Sequence, residues 1–347
     1  MKKIALFLAL VMMTSALASC GGEAPKNEKP AEDPIPTVDV ETPDAPTEQP
    51  TAPETPVVPE TPVVPETPVV PDDPEPDVPE REDDGEFLTE DPADFDKTFT
   101  GYETITVENS QAAVGDLVLV NSAHPYNSDF ADDLVRVKEF NFNGYAAVSS
   151  SKIHLNFTAL RKLQEMNCAM QTALDVPYLI SMSAGFVTSD EQAQLHADYP
   201  NEYPEKGSES DLQTGKAAIV TVQTGAMNYN FRDASAKKVA DWAEGNAYRY
   251  GYIFGDDIGE NAKLRYVGVP HATYMYKNDL DLAGYLAVLK NGEKLQITDD
   301  RNLTFTVYYV EASESSVTEI SVPTGMVYSV SGTNEGGFVV TVKGICQ

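Results

Sequence analysis

A chain of 347 residues is long enough for about two domains, and its 55 acidic against 24 basic side chains leave a formal charge of −31. Duplex DNA and RNA are gripped through phosphate neutralisation by Lys and Arg, so a balance this acidic excludes nucleic acid as a partner. Three cysteines are too few for a disulfide framework.

The chain opens on Lys2 and Lys3, an apolar run from Ile4 to Met13, and the small-residue ending Leu17-Ala18-Ser19-Cys20. These are the parts of a secretory signal over residues 1–19. The ending resembles a bacterial lipobox, which implies a diacylated Cys20 as the first mature residue, and two acyl chains suffice for stable anchoring. No later stretch approaches the ~18 apolar residues that span a bilayer. The expected location is therefore extracytoplasmic, in a bacterial cell envelope, with lipid on Cys20 as the only hold on the membrane.

Residues 20–96 read as a tether. Positions 21–96 hold 24 acidic and 3 basic side chains and 18 of the 24 prolines, and Glu54-Thr-Pro-Val-Val-Pro59 recurs in full at Glu60–Pro65 and Glu66–Pro71. Such a segment buries too little apolar surface to offset ordering entropy, so disorder is expected, while proline and like-charge repulsion extend it. Fully extended as polyproline II it would reach roughly 230 Å.

Proline and charge density fall at Lys97, and Val114-Gly-Asp-Leu-Val-Leu-Val120 is the first run that reads as a buried strand. The spacing of Leu160, Leu163, Met166 and Met170 predicts a helix over Thr158–Leu174, broken by Pro177 before a strand at Tyr178–Ser181. Ala234–Tyr248 reads as a second helix closed by Gly251, and Leu280–Leu289 as a third. After Gly292 the pattern turns to strands at Thr304–Val310, Ser316–Val322, Tyr328–Val330 and Phe338–Val342, separated by Gly, Pro and Asn. Cys168 and Cys346 remain after lipidation; Cys168, on an apolar helix face, reads as core rather than as half of a disulfide.

Four blocks in order carry a resemblance. Asp116-Leu-Val-Leu-Val-Asn121 with His124-Pro-Tyr126 comes first, then Ala184-Gly-Phe-Val-Thr188 with Gln192, then Ser210-Asp-Leu-Gln-Thr-Gly-Lys-Ala-Ala-Ile219. Last come Trp242 with Asn246–Ile253 and Leu264-Arg-Tyr-Val-Gly268. Together they resemble the zinc D-Ala-D-Ala carboxypeptidases of the VanY type, which trim the terminal D-Ala of peptidoglycan stem peptides. The resemblance implies an α+β fold, a small antiparallel sheet with helices, over residues 97–291, followed by a small all-β module over 292–347. It also implies a binding cleft formed by Gln192, Thr214, Gly215, Glu260 and Arg265.

The chain departs from the family where the family's chemistry lies. By the resemblance, Leu212, Ile219 and Lys263 stand at the three zinc-ligand positions, Val187 stands for an Arg that meets the substrate carboxylate or the oxyanion, and Glu260 stands for the general base. A catalytic zinc needs about three N, O or S donors beside its water. Two of these side chains have no lone pair and the third is a cation. Zinc is therefore expected to be lost, no catalytic residue is expected, and no other cofactor is indicated. Zinc lowers the pKa of its water from ~15.7 to about 7, and Glu260 alone cannot supply that.

No second chemistry replaces it. His124, His154, His196 and His271 show no ligand spacing. Ser149-Ser-Ser-Lys152 and Ser235-Ala-Lys-Lys238 both fit Ser-x-x-Lys, but the companion Lys-Thr-Gly is absent. Lys263 is expected either to face solvent or to pair with Glu260, and Lys216 to face solvent. The expected function is a surface lipoprotein whose degenerate domain binds stem peptide or an envelope protein without hydrolysis. The competing readings are an active metallo-carboxypeptidase with non-standard ligands and an adhesion protein working through the β module.

Overall fold

The computed structural model describes residues 90–346, apart from 202 and 293. The chain divides into two units, Met1–Val69 and Val70–Gln347, and every described residue lies in the second. The signal, Cys20 and the proline repeat lie outside the described residues. Among the described residues no helix is long and apolar enough to cross a membrane.

In chain order the first strands are β1 (Gly101–Glu108), β2 (Leu134–Arg136), β3 (Ala147–Val148) and β4 (His154–Asn156). Then come α1 (Phe157–Leu174), β5 (Tyr178–Ala184), α2 (Ser189–Asp198), β6 (Ala217–Thr224) and β7 (Met227–Asn230). They are followed by α3 (Lys237–Asn246), β8 (Tyr252–Phe254), β9 (Ala262–Tyr266), α4 (Val269–Asn278) and α5 (Leu282–Lys290). The last strands are β10 (Leu295–Thr298), β11 (Thr304–Glu311), β12 (Val317–Thr324), β13 (Tyr328–Gly332) and β14 (Gly337–Lys343).

The central sheet runs β3-β5-β6-β9-β8, with β7 hanging on β6. All its pairs are antiparallel except β3 with β5. Period-2 alternation gives the sheet two unlike faces. Ile180, Met182, Ala218, Val220, Val222, Ala262 and Leu264 face the main core, where they meet Leu160, Leu163, Met166 and Met170 of α1 and Val239, Ala240 and Ala243 of α3. The alternate residues Ala217, Ile219, Lys263 and Arg265 are also buried, and they form the face on which the site is built. Helix α1 starts where the Asn156 side chain accepts from the Ala159 amide and ends at Asp175 in the left-handed conformation.

The C-terminal strands form a second sheet in the order β10-β11-β14-β13. Phe305, Val307 and Val339 point to α4 and α5, where they share a core with Met275, Leu282, Tyr285 and Leu286. Tyr308, Phe338, Val340 and Val342 point the other way, to Ile320 and Val322. That second face is covered by a two-stranded ribbon in which β1 pairs with β12 along its full length, from Gly101 with Thr324 to Glu108 with Val317. The C-terminal sheet is thus wedged between helices that precede it and a strand from the start of the described chain. Buried His271 of α4 ties the layers: Nδ1 lies 2.8 Å from the Tyr285 hydroxyl of α5, and Nε2 lies 3.1 Å from Thr341 Oγ1 of β14.

The predicted helices and C-terminal strands stand within a few residues of their expected bounds. Two expectations are corrected. Val114–Val120 is not a strand, although Leu117–Val120 are buried. Its polar groups are met singly instead: the Leu117 amide donates to Ser331 Oγ (3.0 Å), the Leu119 amide to the Thr333 carbonyl (2.9 Å), and Arg265 takes the Asp116 and Val118 carbonyls (3.1 and 3.2 Å). The first strand is instead β1, whose side chains are mostly exposed and so lack an apolar signature. Both Cys168 and Cys346 are free thiols.

Candidate functional site

Two local motifs set the site's walls. Thr188 and Glu191 form a capping box at the start of α2, the Thr188 hydroxyl accepting from the Glu191 amide while the Glu191 carboxylate accepts from the Thr188 amide. Ser210 and Gln213 form a second box on the single turn Asp211–Thr214. Gln213 Nε2 then donates to Ser189 Oγ (2.7 Å), locking the two boxes together. The turn closes at Gly215, whose φ of 69° is left-handed, and a Cβ there would stand 2.4 Å from Leu134 Cδ2. Leu212 is thereby held under the sheet face carrying Ile219.

Leu212, Ala217, Ile219 and Ile258 make one small apolar cluster, with Val187, Ala184 and Tyr203 packed on it. Three of the positions singled out in the sequence, Val187, Leu212 and Ile219, therefore meet in space. Lys263 is the cross-strand partner of Ile219, as Arg265 is of Ala217, so the fourth meets them as well. Burying Leu212 and Ile219 contributes roughly 1.5–3 kcal/mol each, and the cluster fills the space with carbon.

Lys263 is only 5 % exposed. Its ammonium lies 2.6 Å from Glu205 Oε1 and 3.6 Å from Asp211 Oδ2. Burial by itself pushes the ammonium pKa down, but Asp211 and Glu205 outweigh it and leave the group above the ordinary lysine value. Neither expected placement of this lysine is found: it does not face solvent, and its partners are Glu205 and Asp211. Glu260 sits in the turn before β9, exposed, where its Oε2 accepts from Asn230 Nδ2 (2.7 Å). Lys216 is likewise buried, its ammonium 2.6 Å from Asp132 and 3.3 Å from Asp116, because β6 begins beneath the loops that carry those two carboxylates.

A cleft of about 600 Å³ opens over Lys263 and Arg265, walled by Glu205, Glu209, Asp211, Asp256 and Asp281 among others. Arg265 lies at its base, donating to Thr214 Oγ1 (3.0 Å) and to the two carbonyls of the first block. Of the residues the resemblance assigned to a binding cleft, Arg265 lines this one. Gln192 is buried behind it, its Nε2 donating to the Glu205 carbonyl (2.7 Å). Thr214 and Gly215 lie beneath as supports, and Glu260 is not among the lining residues. Glu205 was not anticipated from the sequence, since no spacing joins it to Lys263. Asp211 was within reach, as the residue directly before Leu212.

The donor set does not fit a zinc ion. Two of the three positions are aliphatic and packed together, the third is an ammonium already neutralised by carboxylates, and among the described residues no three His, Cys, Asp or Glu side chains are grouped to hold a metal.

The fold is that of a vancomycin-resistance peptidase. The chain superposes on the D,D-dipeptidase VanXYg, solved with a D-Ala-D-Ala phosphinate analogue, with a TM-score of 0.56 at 23% identity, covering 70% of this chain and 99% of that one. In sequence it is 27% identical over 250 residues to a D-alanyl-D-alanine carboxypeptidase of Enterococcus faecium, covering 68% of this chain and 78% of the enterococcal protein. It is 26% identical over 216 residues to the putative carboxypeptidase YodJ of Bacillus subtilis (strain 168), covering 56% and 73%. No family model matches the chain. In sequence the chain is thus similar to a D-alanyl-D-alanine carboxypeptidase and to a putative carboxypeptidase.

Proposed function

We propose that this chain is a lipid-anchored protein of the bacterial envelope whose carboxypeptidase-like domain binds peptidoglycan stem peptide without cleaving it. The observation that carries the reading is the Lys263 ammonium held between Glu205 and Asp211, directly across from Ile219, at positions where the resemblance puts metal ligands. An internal cation balances the carboxylates there, and it can neither coordinate water nor polarise an amide as zinc does. A cleft of about 600 Å³ lies over it. With five carboxylates against two basic side chains in its lining, it suits the amine-bearing part of a stem peptide better than a terminal carboxylate, in keeping with Val187 in place of an Arg. Lipid on Cys20 and the acidic tether expected over residues 20–96 would hold the remaining chain out from the membrane and toward the wall. The end of that span is already docked on the domain: Glu90 and Asp94 pair with Lys343, and Phe95 packs edge-on against Phe305.

The test uses purified chain, metal analysis and a synthetic pentapeptide stem ending in D-Ala-D-Ala. Saturable calorimetric binding, no zinc at stoichiometric level and no released D-Ala is the expected result. Stoichiometric zinc with D-Ala release would overturn it in favour of an active peptidase, and absence of any binding would overturn it in favour of a protein partner.

A further inference from the structure

We propose that a second pocket, sharing strand β8 with the cleft, is a saccharide subsite, so that the ligand is a stem peptide still joined to its sugar; the inference rests on the reading above. The pocket has a volume of about 260 Å³ and is lined by Tyr248, Tyr252, Phe254, Tyr276, Glu244 and Asp279 among others. Ile253 and Phe254 line both this pocket and the cleft, and the link between α4 and α5 supplies Asp279 and Leu280 to one and Asp281 and Leu282 to the other. The two pockets are therefore neighbours, and a molecule with two unlike parts is proposed to reach both.

The chemistry points to a sugar ring. Tyr276 is 50 % exposed although its neighbour Met275 is fully buried, so its ring is not needed to fill the core. It is nonetheless held, stacked on Tyr248 with centroids 4.1 Å apart and planes 11° from parallel. Tyr248 is fixed in turn, its hydroxyl donating to Asp300 (2.7 Å). A preordered aromatic face open to solvent is a platform for the polarised C–H groups of a pyranose, with little ordering entropy left to lose. The volume is below the ~300–1,000 Å³ usual for drug-sized ligands and suits a single ring.

The charges beside the pocket largely cancel. Glu244 pairs with Arg232, and Asp300 lies 2.9 Å from Arg249 and 3.2 Å from Lys277. Asp279 is left as the lining carboxylate without an ion pair among the described residues, and it can accept from ring hydroxyls. An alkylammonium would find more negative charge in the neighbouring cleft, so a neutral polyhydroxylated ring is the better occupant here.

The experiment titrates the full chain with three probes: tri-N-acetylglucosamine, the free pentapeptide, and a disaccharide-pentapeptide. Saturable binding of the oligosaccharide, weakened about tenfold or more in Tyr276→Ala, kept in Tyr276→Phe and unaccompanied by loss of peptide affinity, is expected. The joined ligand should bind at least about tenfold tighter than either part. Peptide binding without oligosaccharide binding, or equal oligosaccharide affinity in Tyr276→Ala with unchanged circular dichroism, overturns the subsite and leaves the function standing. Oligosaccharide binding without peptide binding overturns the function instead. Preferential binding of tetramethylammonium over the oligosaccharide at this pocket would assign it to cations and overturn the sugar.

Discussion

Ile219 and Lys263 face each other across the antiparallel pair of β6 and β9, one closing an apolar cluster and the other carrying a buried charge to Glu205 and Asp211. Removing that charge leaves two carboxylates, each about one-fifth exposed, Glu205 with no ion-pair partner among the described residues and Asp211 with only the Arg265 guanidinium at 4.0 Å. Lys263→Met is expected to cost about 2–4 kcal/mol in urea unfolding, because an uncompensated charge in a poorly solvated place is what makes breaking such a pair expensive. Adding Glu205→Gln should recover part of the loss, a coupling that a double-mutant cycle reads directly. Glu260→Gln, on an exposed turn, should change stability by no more than about 0.5 kcal/mol.

The convergence of Leu212, Ile219 and Lys263 can be tested by putting donors back. Leu212→His with Ile219→Asp and Lys263→His should bind about one zinc per chain, seen by metal analysis and by a zinc-dependent rise in Tm. The same triple variant without metal should melt below the parent, since it buries polar groups in an apolar cluster. A folded variant whose Tm ignores zinc would mean that the three positions are not within coordinating reach.

His271 predicts a pH dependence. Burial pushes its pKa down from 6.5 to about 3, so the folded chain keeps it neutral where the unfolded chain protonates it. Below pH 6.5 the unfolded state therefore binds more protons, and stability falls as the pH drops toward about 3, by up to ~1.4 kcal/mol per pH unit from this group. Urea unfolding of His271→Asn between pH 4 and 7 should show a shallower slope than the parent. At pH 7 the variant should be less stable by about 1–3 kcal/mol, because the Tyr285 and Thr341 hydroxyls each lose or stretch a buried hydrogen bond.

Gly215→Ala should cost about 1–3 kcal/mol and lower peptide affinity. Its left-handed φ disfavours a side chain, and the added methyl would press on Leu134. The turn holding Leu212 and Thr214, and through Thr214 the cleft-base Arg265, would shift. Unchanged thermal stability of this variant would contradict the packing described.

Much of the fold is local and therefore legible. Apolar spacing marks α1, Gly251 ends the helical segment before β8, and the Thr188–Glu191 and Ser210–Gln213 boxes can be read as Ser/Thr-x-x-Glu/Gln patterns. Strand β1 was missed because its eight residues present no apolar face strong enough to announce burial. Lys216 and Lys263 were misplaced for a different reason. A lysine reads as exposed unless a carboxylate awaits it, and the carboxylates here, Asp132 and Glu205, lie 84 and 58 positions away.

The order of the four blocks is written in the chain, and so is the aliphatic or cationic character of Leu212, Ile219 and Lys263, side chains that do not suit a zinc ion at the positions where the resemblance puts its ligands. That those side chains meet, that the ammonium turns to Glu205 and Asp211 while Glu260 turns to Asn230, and that Tyr276 stacks on Tyr248 beside the cleft were decided by folding alone. Coordination chemistry depends on residue type and can be judged from letters, whereas electrostatic pairing and ring stacking depend on distances of a few ångströms between segments far apart along the backbone.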